Sequence, residues 1–239
     1  MEARTASMRR LLRSQYLLLV ACALPVACTD SSEDGGAAEH EWPEGTVLAV
    51  DDLPISADEV DAASAWIERI DRKATPDQLR RLALTNIVLR NKVAQLLAPE
   101  ARNKALADAR TALKQLRDGT WIGPPGPDGL YGERRSGDFR IIGIPAWATG
   151  MDLEEGAWSE PVETTGQFLL VRRLEMRSAP VPLAIELELD VLAFPFLDPL
   201  QAESQVEAAY DRYRLTIVDP VWRAIVPELL QYRMGVHGT

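Results

Sequence analysis

Both cysteines of the chain, Cys22 and Cys28, fall within its first twenty-eight residues. Nothing after Cys28 can therefore be closed by an internal disulfide. Roughly two hundred residues remain, and they must hold together by packing alone. With 46% hydrophobic residues the chain has the material for a core, enough for one large domain or two small ones.

The same cysteines end an apolar run. Arg9, Arg10 and Arg13 precede it, and Pro25-Val26-Ala27-Cys28 places small residues before a cysteine. Residues 16–27 (YLLLVACALPVA) are too few to span a bilayer. This is the layout of a bacterial lipoprotein signal. Residues 1–27 are expected to be a signal peptide and Cys28 the lipidated residue, with the protein in the cell envelope facing the periplasm or the cell exterior. Cleavage before Cys22 competes, because Leu19-Val20-Ala21-Cys22 suits the residue preferences of such a site better, but it leaves a stubby apolar segment. Residues 28–43 then read as a tether, rich in Ser, Gly and acidic residues. Removal of residues 1–27 takes away four Arg and one Glu, moving the formal charge from −10 to −13. No basic patch follows, which argues against nucleic acid as a partner.

Three helices are expected in succession. Residues 46–50 (TVLAV) form a short strand, and Asp51-Asp52-Leu53-Pro54 turns it. Ser56 with Glu59 three residues on is a capping box, followed by an apolar stripe at Val60, Ala63, Ile67 and Ile70. Thr75-Pro76-Asp77-Gln78 opens a second helix with Leu79, Leu82, Leu89, Val93 and Leu96 on one face. Asn86 sits within that stripe as either a ligand-reading polar group or, the favoured reading, a core asparagine bonded to a neighbour. A third helix covers residues 100–118 and closes at Gly119. Residues 121–137 are too rich in Gly and Pro for regular structure. Strands are expected at 139–144, 167–174 and 185–191, the last (IELELDV) alternating in strict period two between a core face and a water face. Asp198 caps a helix carrying Val206, Ala209, Tyr210 and Tyr213. Residues 215–218 read as a strand, and Asp219-Pro220 starts a final helix interrupted at Pro227.

The inventory removes several chemistries. His40 lies in the tether and His237 near the chain end, so Ser-His-Asp and Cys-His catalysis and histidine metal sites are not expected in the folded body. No nucleotide-binding glycine motif and no calcium loop occur. Acid pairs such as Asp51-Asp52 and Glu154-Glu155 read as solvated turn residues. Neither a cofactor nor a metal is expected.

Residues 153–174 (LEEGAWSEPVETTGQFLLVRRL) resemble the last part of a parvulin-type peptidyl-prolyl isomerase domain. Leu153, Gly156, Ser159, Pro161, Val162, Thr164 and Gly166 keep the family's order: Gly156 ends a helix, Pro161-Val162 lies in a strand, and Thr165-Gly166 turns into the final strand. Residues 105–119 resemble the first domain helix. Ser136-Gly137-Asp138-Phe139 stands where a Gly-Asp-Leu-Gly segment introduces the second strand. Residues 47–98 are similar to the helical segment of periplasmic parvulin-domain chaperones.

The resemblance implies an α+β fold. A helical chaperone-like segment covers residues 44–118, and a divergent parvulin-like region with a small mixed sheet covers 119–179. A C-terminal strand and helix extension over 180–239 packs on it. Active members of the family carry a His in the first strand and another two residues after the turn glycine. Here Phe168 fills the second slot, the hairpin is one residue short, and no first strand lies within residues 96–103. Residues 185–194 are expected to supply the missing strand from the C-terminal side.

Isomerase activity is accordingly expected to be weak or lost, with no residue assigned as catalytic. Ile144, Trp147, Met151 and Phe168 are the candidates for an apolar substrate groove. The partners implied are unfolded or proline-containing polypeptides and, through the anchor, a membrane. The alternative is a non-catalytic envelope assembly or scaffold lipoprotein that clasps one dedicated protein.

Overall fold

The computed structural model describes residues 41–123, 132–178 and 185–238. Cys28, Cys22 and all but the last three residues of the tether lie outside the described residues. The fold is α+β, with two four-stranded sheets.

The first sheet joins the two ends of the described chain. Strand β1 (Thr46–Val50) pairs antiparallel with β2 (Leu53–Ser56) and with β7 (Leu215–Ile217), and β8 (His237–Gly238) runs parallel to β7. His237 therefore has its backbone in a sheet. Helix α1 (Ala57–Glu68) starts where the Ser56 hydroxyl accepts the Glu59 N–H at 3.1 Å. Only half of the expected box forms, because the Glu59 carboxylate goes to Lys92 at 2.9 Å. At α2 (Pro76–Ala83) the box is complete, with Thr75 and Gln78 each bonding the other's backbone N–H.

The second predicted helix runs on past α2 through a π-turn, Leu84–Val88, into α3 (Leu89–Leu97). The wider turn shifts the buried face. Leu82 is 39% exposed, and Asn86, expected in the core, is exposed. The buried asparagine is Asn91. Helix α4 (Pro99–Arg117) follows almost at once. These helices, the first sheet, α7 (Ala202–Ala209), Trp222 and α8 (Glu228–Arg233) enclose the largest core, with Leu48, Ile55, Leu84, Leu89, Leu215 and Ile217 fully or almost fully buried. The region from Asp219 is a 3-10 turn, Pro220–Ala224, followed by α8.

The second sheet has the order β3-β6-β5-β4, every neighbouring pair antiparallel. The mixed sheet expected of this region is therefore antiparallel; the parallel pair belongs to the other sheet. Strand β6 (Ile185–Pro195) lies inside it, between β3 (Glu133–Gly137) and β5 (Gln167–Ser178), with β4 (Val162–Thr164) at the far edge. Residues 185–194 thus sit in the sheet. Helix α4 covers one face through Ala112 and Leu113 on Leu170 and Leu192. Leu169, Val171, Leu187, Leu189 and Val191 face the other way, onto Ile142, Ala146 and Trp147.

Four further local expectations fail for identifiable reasons. Residues 133–137, read as loop, form β3, a charged edge strand whose pairing partner is β6. Residues 139–144, read as strand, are α5 (Phe139–Ile142) and the start of α6 (Ile144–Asp152). Asp138 caps α5 by accepting the Arg140 N–H at 2.9 Å, and Pro145 favours the first turn of α6. Segment 136–139 accordingly ends a strand and opens a helix. Gly156 does not end a helix, since α6 stops at Asp152; it sits in a later turn where its N–H meets the Arg173 carbonyl at 2.7 Å. Finally, the acidic face of β6 is not uniformly wet. Asp190 is fully buried, with Arg134 at 3.4 Å and Arg172 at 3.9 Å.

Candidate functional site

The β4–β5 hairpin organises the site. Thr165-Gly166 connects its strands, and Gly166 has φ +79, at the second central position where a type II turn calls for glycine. The Gly166 carbonyl accepts the N–H groups of Phe196 and Leu197 at 2.8 and 3.0 Å, which fixes the turn against the chain leaving β6. Side chains then alternate along β5. Gln167 and Leu169 line a cavity on the α6 side. Phe168 points the opposite way, 2% exposed, 5.8 Å from Phe196 and 5.4 Å beneath the Arg102 guanidinium.

The cavity measures about 310 Å³. Its other walls come from four distant parts of the chain. Ile142, Gly143, Ile144, Pro145 and Ala146 close it from the α5–α6 corner, where Gly143 turns the chain with φ +93. Arg135 enters from β3, Asn86, Ile87 and Asn91 from the π-turn and α3, and Glu203 from α7. Both charged wall residues are already paired. Arg135 contacts Glu133 at 3.0 Å and donates to the Ile142 carbonyl at 3.3 Å, while Glu203 is bound to Arg90. What remains for a ligand is an apolar surface with amide and hydroxyl groups from Asn86, Gln167, Thr164 and Thr165. Such groups bind and orient a neutral molecule. No nucleophile with an adjacent base lies in these walls.

Of the four groove candidates, Ile144 lines this cavity. Trp147, 3% exposed, is part of the core between α6 and the sheet, donates its Nε1–H to the Ile185 carbonyl at 3.0 Å and meets Phe139 edge-on. Met151 packs against that same core, and Phe168 belongs to the larger one. The four do not form one groove. Counting two residues on from the turn glycine selects Phe168, but the strand's alternation places Gln167 and Leu169 at the cavity. That alternation was available in the sequence. Arg135 was not, because its strand carries no apolar pattern.

The Arg102 guanidinium holds β4 onto α4 through two bonds of 2.7 Å to Glu163, and this pairing raises the arginine's affinity for its proton. Burial pushes the Tyr210 hydroxyl up from its ordinary value. Neither group lines the cavity. Among the described residues no group of three His, Cys, Asp or Glu side chains is placed to hold a metal ion, and no helix is long and apolar enough to cross a membrane.

No protein-family model matches the chain, and searches of curated proteins and of solved structures return no match.

Proposed function

We propose that this is a divergent parvulin-like protein of the bacterial cell envelope, lipid-anchored at Cys28, that binds unfolded or proline-containing polypeptide segments and whose isomerase activity is weak or lost. The observation that carries the reading is the electrically neutral, amide-rimmed cavity between the α5–α6 corner and the β4–β5 hairpin. A peptide presents alternating N–H and C=O groups and no backbone charge, which asparagine, glutamine and threonine side chains can answer at once. Prolyl isomerisation crosses a barrier of roughly 18–20 kcal/mol without covalent chemistry, so a site of this kind needs only to favour the twisted amide. The position of β6 supports the reading as well, since it fills the sheet beside the strand that resembles the family's last one.

Aggregation of several unrelated unfolded proteins, followed by light scattering with and without the full chain, tests the binding function. Suppression across the set is expected. Selective capture of one partner with no suppression would favour the dedicated scaffold instead. Lipidation is tested by incorporation of labelled fatty acid, which Cys28→Ser should abolish and Cys22→Ser should leave in place; the reverse pattern would move the anchor to Cys22.

A further inference from the structure

We propose that a second cavity extends this site, so that one uncharged, extended polypeptide segment runs along β4 and places an apolar side chain against Trp66. This inference rests on the polypeptide-binding reading and adds a second subsite to it.

The second cavity also measures about 310 Å³ and lies between α1 and residues 161–163. It shares Ile87 and Asn91 with the first. The π-turn explains how one helix serves both. Asn86 and Asn91 are five residues apart, which a regular α-helix would separate by roughly 140° around its axis. A turn closed by i→i+5 bonds brings such positions back to one side. Both residues line the first cavity.

Two observations point to an extended chain as the occupant. First, β4 is an edge strand. Thr164 and Gln167 flank the two-residue turn and form its closing pair, so the backbone groups of Glu163 between them and Val162 point away from β5. The Glu163 carbonyl meets the Asn91 Nδ2 at 3.3 Å. Asn91 is only 9% exposed and lines both cavities. An asparagine amide beside a strand edge is suited to a peptide backbone group.

Second, the charges have been cancelled. Glu59 pairs with Lys92 at 2.9 Å and Glu163 with Arg102 at 2.7 Å, leaving Trp66, Ala62, Val88 and the Gln95 amide to meet the ligand. An ionised ligand group would lose its water here and gain no counter-charge. The class that fits is a neutral segment with an aliphatic or aromatic side chain.

The test uses the full chain in detergent and two capped, fluorescein-labelled peptides: Ala-Ala-Pro-Ala, and the same sequence extended on each side by Leu-Phe-Ala. Ala62 is exposed and lines the second cavity only, so Ala62→Trp fills that cavity without entering the core. Anisotropy titrations should show the long peptide binding at least tenfold more tightly than the short one. Ala62→Trp should bring the long peptide down to the short peptide's affinity. Gln95→Glu, which adds an uncompensated charge, should do the same if the tryptophan variant fails to fold. Equal affinities of the two peptides for the unmodified chain, or unchanged long-peptide affinity in a folded variant, would overturn the second subsite. Binding of neither peptide would overturn the polypeptide-binding reading itself.

Discussion

Replacing Gly166 by alanine should cost far more than the same change at Gly156, although both glycines have nearly the same backbone angle, φ +79 and +81. An alanine forced into the left-handed region costs about 1–2 kcal/mol. The loss of unfolded-chain freedom returns about 0.4–1 kcal/mol of that. At Gly156 nothing lies within 4 Å of an added Cβ, so the net cost should be about 0.5–1 kcal/mol. At Gly166 the new carbon would sit 2.9 Å from the Ala202 Cβ and 3.0 Å from the Leu197 Cβ. Those atoms are fixed to the backbone and cannot swing aside.

Relief therefore requires the chain after β6 to move, straining the bonds from Phe196 and Leu197 to the Gly166 carbonyl. Overpacking of this kind adds about 1–3 kcal/mol, giving a total of about 2–4 kcal/mol and a loss of about 4–16 °C in melting temperature. Urea unfolding of the full chain, followed by the fluorescence of its six tryptophans, measures both variants against the same baseline. If the two glycines prove equivalent within about 0.5 kcal/mol, the hairpin turn is not locked against the segment after β6 and the described site geometry is wrong.

Arg102→Met should destabilise the chain by about 1–3 kcal/mol, because it leaves the half-buried Glu163 carboxylate without either of its two charged bonds; the double variant with Glu163→Gln should recover part of that loss in urea unfolding, and no recovery would argue against direct coupling. Acid should destabilise the fold through Asp138, Glu175 and Asp211, whose carboxyls are held below their usual range by Arg140, Arg177 and Arg233 respectively. A lowered folded-state pKa contributes stability that is present above the unfolded value, about 4, and is lost as pH falls through the folded value. Asp138→Asn keeps the helix cap and should flatten the fall in urea midpoint below pH 4; an unchanged slope would show that this carboxylate contributes nothing there.

Helix starts were the most legible part of the sequence, because Ser56 and Thr75 act locally on backbone groups three residues away. The period-two pattern of β6 was legible for the same reason, since Leu187, Leu189 and Val191 share a face whatever covers it. What escaped depends on distant partners. The run Phe139-Arg140-Ile141-Ile142 has strand composition, yet Asp138 and Gly143 bracket it as a helical turn. Strand β3 has no apolar alternation because both of its faces are largely polar, and only β6 defines it. Asp190 looked like a solvated residue of the outer face until Arg134 and Arg172, brought in by the strands on either side, covered it. The cavity was least legible of all. Its walls come from the π-turn, α3, β3, the α5–α6 corner, the hairpin and α7, and no local pattern unites them.

The most direct test of a polypeptide-binding cavity is the line width of a proline-containing peptide in NMR spectra as the full chain in detergent is added, compared with the Ile144→Arg variant. Ile144 is half-buried at the cavity wall, so an arginine there fills part of the cavity with its stem while its charged head keeps access to water. The account predicts saturable broadening of the peptide resonances by the unmodified chain and its loss in the folded variant. Broadening that is absent with the unmodified chain, or that persists undiminished in the variant, would contradict it.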